Sequence, residues 1–268
     1  MSRYAHGDFE IIDAHTHIFP APLADKAAGS IGGFYGLKPG HSGAAEDLLR
    51  EGSKYGVKKY LVCSVATSPR QVRDINNFIA RECAEHSEFF GFGTVHPDME
   101  GLEDEVERIM RMGLRGIKLH PDFQQFNLDS PEAFRLYDMV GGRLPFLLHM
   151  GDHRYDHSSP ERLSIVLDNF PKLEVIAAHF GGFMDWESAR ALLRRSNVKV
   201  DTSSSLFMLD KGYVKKLIDH YGVENCFFGT DFPLWNYAGE VERFFDLDLP
   251  FDVMERILSL NFREYFKI

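Results

Sequence analysis

Basic residues are in short supply in this chain. Its 268 residues carry 30 Lys and Arg against 40 Asp and Glu, a formal charge of −10. That balance excludes the basic footprint of a nucleic-acid-binding domain. Cysteine is scarcer still. Cys63, Cys83 and Cys226 are too few and too scattered for a disulfide framework, and they read as reduced thiols packed as small apolar groups. No apolar run is long enough to cross a bilayer. The start, Met1-Ser2-Arg3-Tyr4-Ala5-His6, lacks the apolar core of a signal peptide, so a cytoplasmic location is expected. No low-complexity segment and no Pro- or Gly-rich linker divides the chain, and one domain over residues 1–268 is expected.

What the chain does have is alternation. Strand-like apolar runs at 10–17, 59–66, 89–96, 114–120, 144–149, 173–179, 198–203 and 226–231 alternate with helical patterns. The helical patterns lie at 44–55, 69–86, 102–112, 130–140, 160–169, 185–196 and 210–221. Eight strands alternating with helices predict parallel pairing, and the length fits a (β/α)8 barrel. An open doubly wound sheet is the alternative. It lacks a Gly-x-Gly-x-x-Gly after the first strand and would gather its ligands at one crevice. Here polar residues close most of the strands, which a barrel mouth explains better. The stretch 19–43, rich in Gly, Pro and Ala, is expected to be an irregular wall or lid over that mouth. The tail from 250 to 268 reads as one or two closing helices.

The first strand ends Asp13-Ala14-His15-Thr16-His17. Alternate side chains of a strand share a face, so Asp13, His15 and His17 point one way. Two imidazoles so placed can grip a metal ion. The fifth strand ends in His149, the sixth in His179 and the eighth in Asp231. In a parallel barrel these five residues meet at one rim. Imidazole and carboxylate ligands suit zinc first, with manganese or iron as alternatives.

These pieces carry a resemblance. Asp13-Ala14-His15-Thr16-His17, Gly116-Ile117-Lys118-Leu119-His120-Pro121, Leu144-Pro145-Phe146-Leu147-Leu148-His149-Met150-Gly151, Ala178-His179-Phe180-Gly181-Gly182, Gly229-Thr230-Asp231-Phe232-Pro233 and Asn261-Phe262-Arg263-Glu264-Tyr265-Phe266 run in order along nearly the whole chain. Together they resemble the amidohydrolase superfamily of metal-dependent barrels, in the branch of the aminocarboxymuconate-semialdehyde decarboxylase-like enzymes. The resemblance implies one divalent metal ion on His15, His17, His149 and Asp231. It implies that Asp231 takes the proton of an activated water and that His179 hydrogen-bonds that water or a substrate oxygen. Asp13 is then either a partner for an imidazole N–H or a strand-start carboxylate bonded to backbone amides. Lys118 is either an unmodified lysine that contacts polar groups inside the barrel or the substrate, a lysine paired with a buried carboxylate, or a carbamylated bridge between two metals as in binuclear relatives.

Other residues near the strand ends remain open. His96 and His120 each precede a proline and divide between substrate contact and a structural hydrogen bond. Arg154, on the polar loop 151–157, can meet a substrate carboxylate through its fork or simply be solvated. Trp235 is either a pocket wall or core packing. The function expected is metal-dependent hydrolysis of a small lactone, ester or amide. Non-oxidative decarboxylation of a small unsaturated or aromatic acid is the alternative, since the same ligands serve both. A metal-stabilised scaffold without turnover is disfavoured, because a structural metal site has no use for spare acid–base groups. The partner expected is a small molecule, carboxylate-bearing if Arg154 takes part, with neither nucleic acid nor membrane. A homodimer is allowed but not specified.

Overall fold

The computed structural model describes residues 3–268. In chain order its strands are β1 Ile11–His17, β2 Val57–Cys63, β3 Phe89–Gly91, β4 Gly93–Thr94, β5 Ile117–Leu119, β6 Phe146–Leu148, β7 Val175–Ala177, β8 Val198–Asp201 and β9 Cys226–Phe227. All eight expected strand runs are present, and the run at 89–96 is split at Phe92. They are shorter than their apolar pattern because the polar end residues leave the ladder. His120 instead caps the helix Pro121–Gln124, while His179 and Asp231 take positive φ of 61° and 58°.

The chain forms two compact units, one continuous and one discontinuous in sequence. The continuous unit is Cys63–Asp201. Within it β4, β5, β6, β7 and β8 pair side by side, all parallel, with Ile117, Phe146, Val175 and Val198 in register. Phe146–Leu148 and Val175–Ala177 are fully buried on both faces, as continuous apolar runs in a parallel sheet require. The helices Pro131–Val140 and Pro160–Asn169 each start at a Ser-Pro pair. Ser130 and Ser159 accept the amides of Ala133 and Arg162, and each proline takes the first helical position, where its missing N–H costs nothing.

The discontinuous unit joins the stretch ending at Val62 to Thr202–Ile268. Here β1 lies beside β2 and also beside the segment 228–232. Ala14 N–H donates to the Phe228 carbonyl at 2.8 Å, Asp231 N–H to His15 at 2.9 Å and His17 N–H to Phe232 at 2.7 Å. This parallel pairing is what brings Asp231 alongside two histidines more than 200 residues earlier.

One expectation needs correcting. The stretch 19–43 is not irregular throughout but contains the helix Ala24–Tyr35, closed by Gly36 at φ 68°. Its glycines hid it from the pattern. Gly32 is a packing surface rather than a breaker, because a Cβ there would lie 2.5 Å from the Leu37 carbonyl oxygen and 2.7 Å from Pro39. The tail is helical as expected, Phe251–Glu255 running through a π-helical segment, Arg256–Leu260, into Asn261–Phe266. Among the described residues no helix is long and apolar enough to cross a membrane.

Candidate active site

In the discontinuous unit His15, His17 and Asp231 converge. Asp231 Oδ1 lies 3.6 Å from His15 Nε2 and 3.4 Å from His17 Nε2. A four-coordinate ion with bonds of roughly 2.0–2.2 Å spaces its ligands roughly 3.3–3.6 Å apart. The two imidazoles and the carboxylate therefore fit a divalent metal as they stand, and the three form one of the metal-capable groups of the fold.

The surroundings hold this trio in place. Asp13, fully buried beneath it, accepts the amides of His15 (3.2 Å) and Thr230 (3.0 Å) and the hydroxyls of Thr230 (2.6 Å) and Tyr237 (2.9 Å). Of its two open readings, the strand-start carboxylate bonded to backbone amides is the one seen. Burial pushes its carboxyl up to about 7 against the pull of those four hydrogen bonds. Ser203 Oγ is 3.0 Å from His15 Nδ1. Ser204 Oγ donates to Asp231 Oδ2 at 2.6 Å and accepts the Trp235 indole N–H at 2.7 Å. Phe207 packs on Trp235 with ring centres 4.1 Å apart, and Phe207 and Met208 remain exposed.

The continuous unit holds the remaining predicted residues. His149 stacks on His120 at 3.8 Å, and His120 on Phe123 at 3.7 Å, each pair with nearly parallel ring planes. His149 Nδ1 lies 3.0 Å from His179 Nε2, and His179 takes the Asp201 carboxylate on its backbone amide. His120 Nδ1 accepts the Phe123 amide at 3.3 Å. His96 does the same for the Asp98 amide. Lys118 is fully buried on β5, in register between Thr94 and Leu147. Arg154 is not simply solvated. Its fork closes on buried Asp152, with Nε to Oδ1 at 2.9 Å and Nη2 to Oδ2 at 2.6 Å. This pair lines a cavity of about 330 Å³ with Gly151, His153, Tyr155, Asp156, Ser159, Glu161 and Asp185.

The amidohydrolase family model matches residues 12–268. The chain belongs to the amidohydrolase family. Solved structures agree on the fold. The 5-carboxyvanillate decarboxylase of Sphingomonas paucimobilis aligns with a TM-score of 0.76 at 18% identity, covering 97% of this chain and 99% of that one. A manganese-bound 5-carboxyvanillate decarboxylase of Novosphingobium aromaticivorans gives 0.78 at 16%, covering 97% of each chain. A probable 2-pyrone-4,6-dicarboxylic acid hydrolase of Acinetobacter baumannii, with citric acid bound, gives 0.71 at 16%, covering 96% and 99%. This amidohydrolase thus has the parallel α/β-barrel fold class expected from its sequence, and it is an enzyme of that superfamily.

Two groups of this amidohydrolase escaped the sequence reading. Asp122 lies 3.8 Å from His149 Nε2 and 4.0 Å from His120 Nδ1. Ser158 donates to its Oδ2 at 2.5 Å, its Oδ1 has no hydrogen-bond partner, and burial pushes its carboxyl up to about 7. Its signal was its place two residues after His120. The other group is Ser203 and Ser204, whose signal was the polar run Thr202-Ser203-Ser204-Ser205 closing an apolar strand.

Proposed function

We propose that this amidohydrolase is a metal-dependent decarboxylase of a small aromatic or unsaturated acid. The observation that carries the reading is the convergence of His15, His17 and Asp231 next to an aromatic pair, Phe207 on Trp235, that is hydrogen-bonded to Asp231 through Ser204. The named activities of the decarboxylases above support it. A divalent ion would be held by His15, His17 and Asp231. It would supply positive charge to draw in and orient substrate oxygens. Zinc suits the donors, and the manganese-bound relative supports manganese equally.

The chain's own groups would do the rest. A planar acid lies against the exposed aromatic faces. The Asp231 carboxyl delivers a proton to the carbon that bears the substrate carboxylate. The bond to that carboxylate then breaks, its electron pair returns to the ring or double bond, and carbon dioxide leaves.

The preference for hydrolysis drawn from sequence becomes the second reading. The pyrone-dicarboxylic acid hydrolase favours it, since such an enzyme also works on a carboxylate-bearing ring. The test loads the protein with manganese or zinc and offers hydroxylated aromatic acids beside lactones and esters. Release of carbon dioxide from an acid should outpace every hydrolysis. Faster hydrolysis of any lactone or ester would overturn the decarboxylase reading.

A further inference from the structure

We infer that Ser203 and Ser204 are positioning residues for the metal centre: Ser203 fixes the tautomer of His15, and Ser204, held by Trp235, aims the Asp231 carboxylate. The inference rests on the metal-binding part of the proposed function and is independent of which acid or ester is the substrate.

The hydrogen-bond directions follow from the groups themselves. An indole N–H can only donate. Trp235 Nε1, 2.7 Å from Ser204 Oγ, therefore makes that oxygen an acceptor and leaves its single proton for another group. The group in reach is Asp231 Oδ2 at 2.6 Å. One oxygen of Asp231 is so committed, and the other, Oδ1, is turned toward His15 and His17 Nε2. At His15 the logic runs through the ring. Its Nε2 can offer a lone pair only if Nδ1 carries the proton. Ser203 Oγ, 3.0 Å from Nδ1, is placed to accept that proton. Two neighbouring residues thus reach two different ligands.

The backbone carries the same message. Ser204 sits at φ 52° and Asp231 at φ 58°, in the left-handed region that non-glycine residues avoid. Both are buried, Ser204 at 3% and Asp231 at 9% exposure. A strained backbone persists when its surroundings hold it. Here the strain sets the direction of two side chains that bond each other.

The test reads metal affinity, not turnover. Mn²⁺ is titrated into wild type, Ser204→Ala, Trp235→Phe and the double variant, in competition with a chelator. Removing a group that orients a ligand costs about 10- to 100-fold in metal affinity, and Ser204→Ala should fall in that range. Trp235→Phe keeps the ring against Phe207 and loses only the N–H, so it should weaken binding by a smaller factor. The double variant should match Ser204→Ala, because both changes break one relay. For Ser203→Ala, ¹⁵N-labelled histidine should show His15 leaving its single Nδ1–H tautomer. Wild-type affinity in Ser204→Ala overturns the inference and leaves the metal reading standing, as does full additivity of the pair. Absence of Mn²⁺ binding in the wild type overturns the metal reading itself. Should Ser204→Ala fail to fold, the partly exposed Trp235→Phe decides alone, and unchanged affinity in it overturns the relay.

Discussion

Asp231 serves two directions at once, with Oδ1 toward two imidazoles and Oδ2 on the Ser204 hydroxyl. An Asp231→Asn change keeps the shape and removes the carboxyl proposed to hold and deliver the proton. Acid–base groups of this kind contribute about 10²–10⁴-fold, so turnover of the manganese-loaded variant should drop by that range while circular dichroism stays unchanged. Near-normal turnover would remove Asp231 from proton transfer. Arg154 teaches the opposite lesson. Its residue type and loop suggested an anion site, yet its fork already holds Asp152, which is almost fully buried while Arg154 is partly exposed. Arg154→Ala should therefore alter KM for a carboxylate substrate by less than about threefold, with loss of stability as the main effect. A charge-assisted pair gives about 1.5–3 kcal/mol, and exposure of the arginine reduces this to about 1–2 kcal/mol. A tenfold rise in KM at unchanged Tm would return Arg154 to the substrate.

At the scale of elements, the strands and most helices were legible because a buried parallel sheet writes continuous apolar runs and the surface helices between them write amphipathic ones. The helix Ala24–Tyr35 was not, because Gly29, Gly32 and Gly33 weaken the helical pattern, while Gly32 acts through close packing on Leu37 and Pro39 that no local pattern records. Gly116, just before β5, is a second such position. A Cβ on it would lie 2.2 Å from the Phe92 ring, which is itself buried between β3 and β4. Neither the ring nor the strand has room to give. Gly116→Ala should cost about 1–3 kcal/mol as overpacking, visible as a lower midpoint in urea with an unchanged slope. A pairing of Gly116→Ala with Phe92→Leu should recover part of the loss. Full stability of the single variant would mean that Phe92 moves freely, contrary to its packing.

Over the whole molecule, the metal-capable trio was readable because each member ends a strand. The groups that orient it were not, because Ser203, Ser204 and Tyr237 look like any polar surface residue until the fold buries them. Glu240, which plays no part in that orientation, is hidden in the same way. It is fully buried in the helix Tyr237–Phe245, with Oε1 on Arg243 at 2.6 Å and Oε2 without a hydrogen-bond partner. Burial outweighs Arg243 and pushes its carboxyl from 4.5 up to about 7. The folded state then holds the proton more tightly than the unfolded one. Its contribution is fully present below pH 4.5 and is lost as pH rises through 7; above that it costs on the order of 3 kcal/mol. Glu240→Gln cannot ionise, so its Tm should change less than that of wild type between pH 5 and 8, and should exceed it at pH 8. Parallel curves would mean that Glu240 stays ionised on Arg243 throughout. A last consequence concerns time. The unit that holds His15, His17 and Asp231 is split in sequence around the continuous unit Cys63–Asp201. During synthesis the two histidines leave the ribosome about two hundred residues before their carboxylate partner. At ribosomal speeds of roughly 5–20 residues per second they wait roughly 10–40 s. A nascent chain can therefore complete its continuous unit while the trio of His15, His17 and Asp231 is still unfinished.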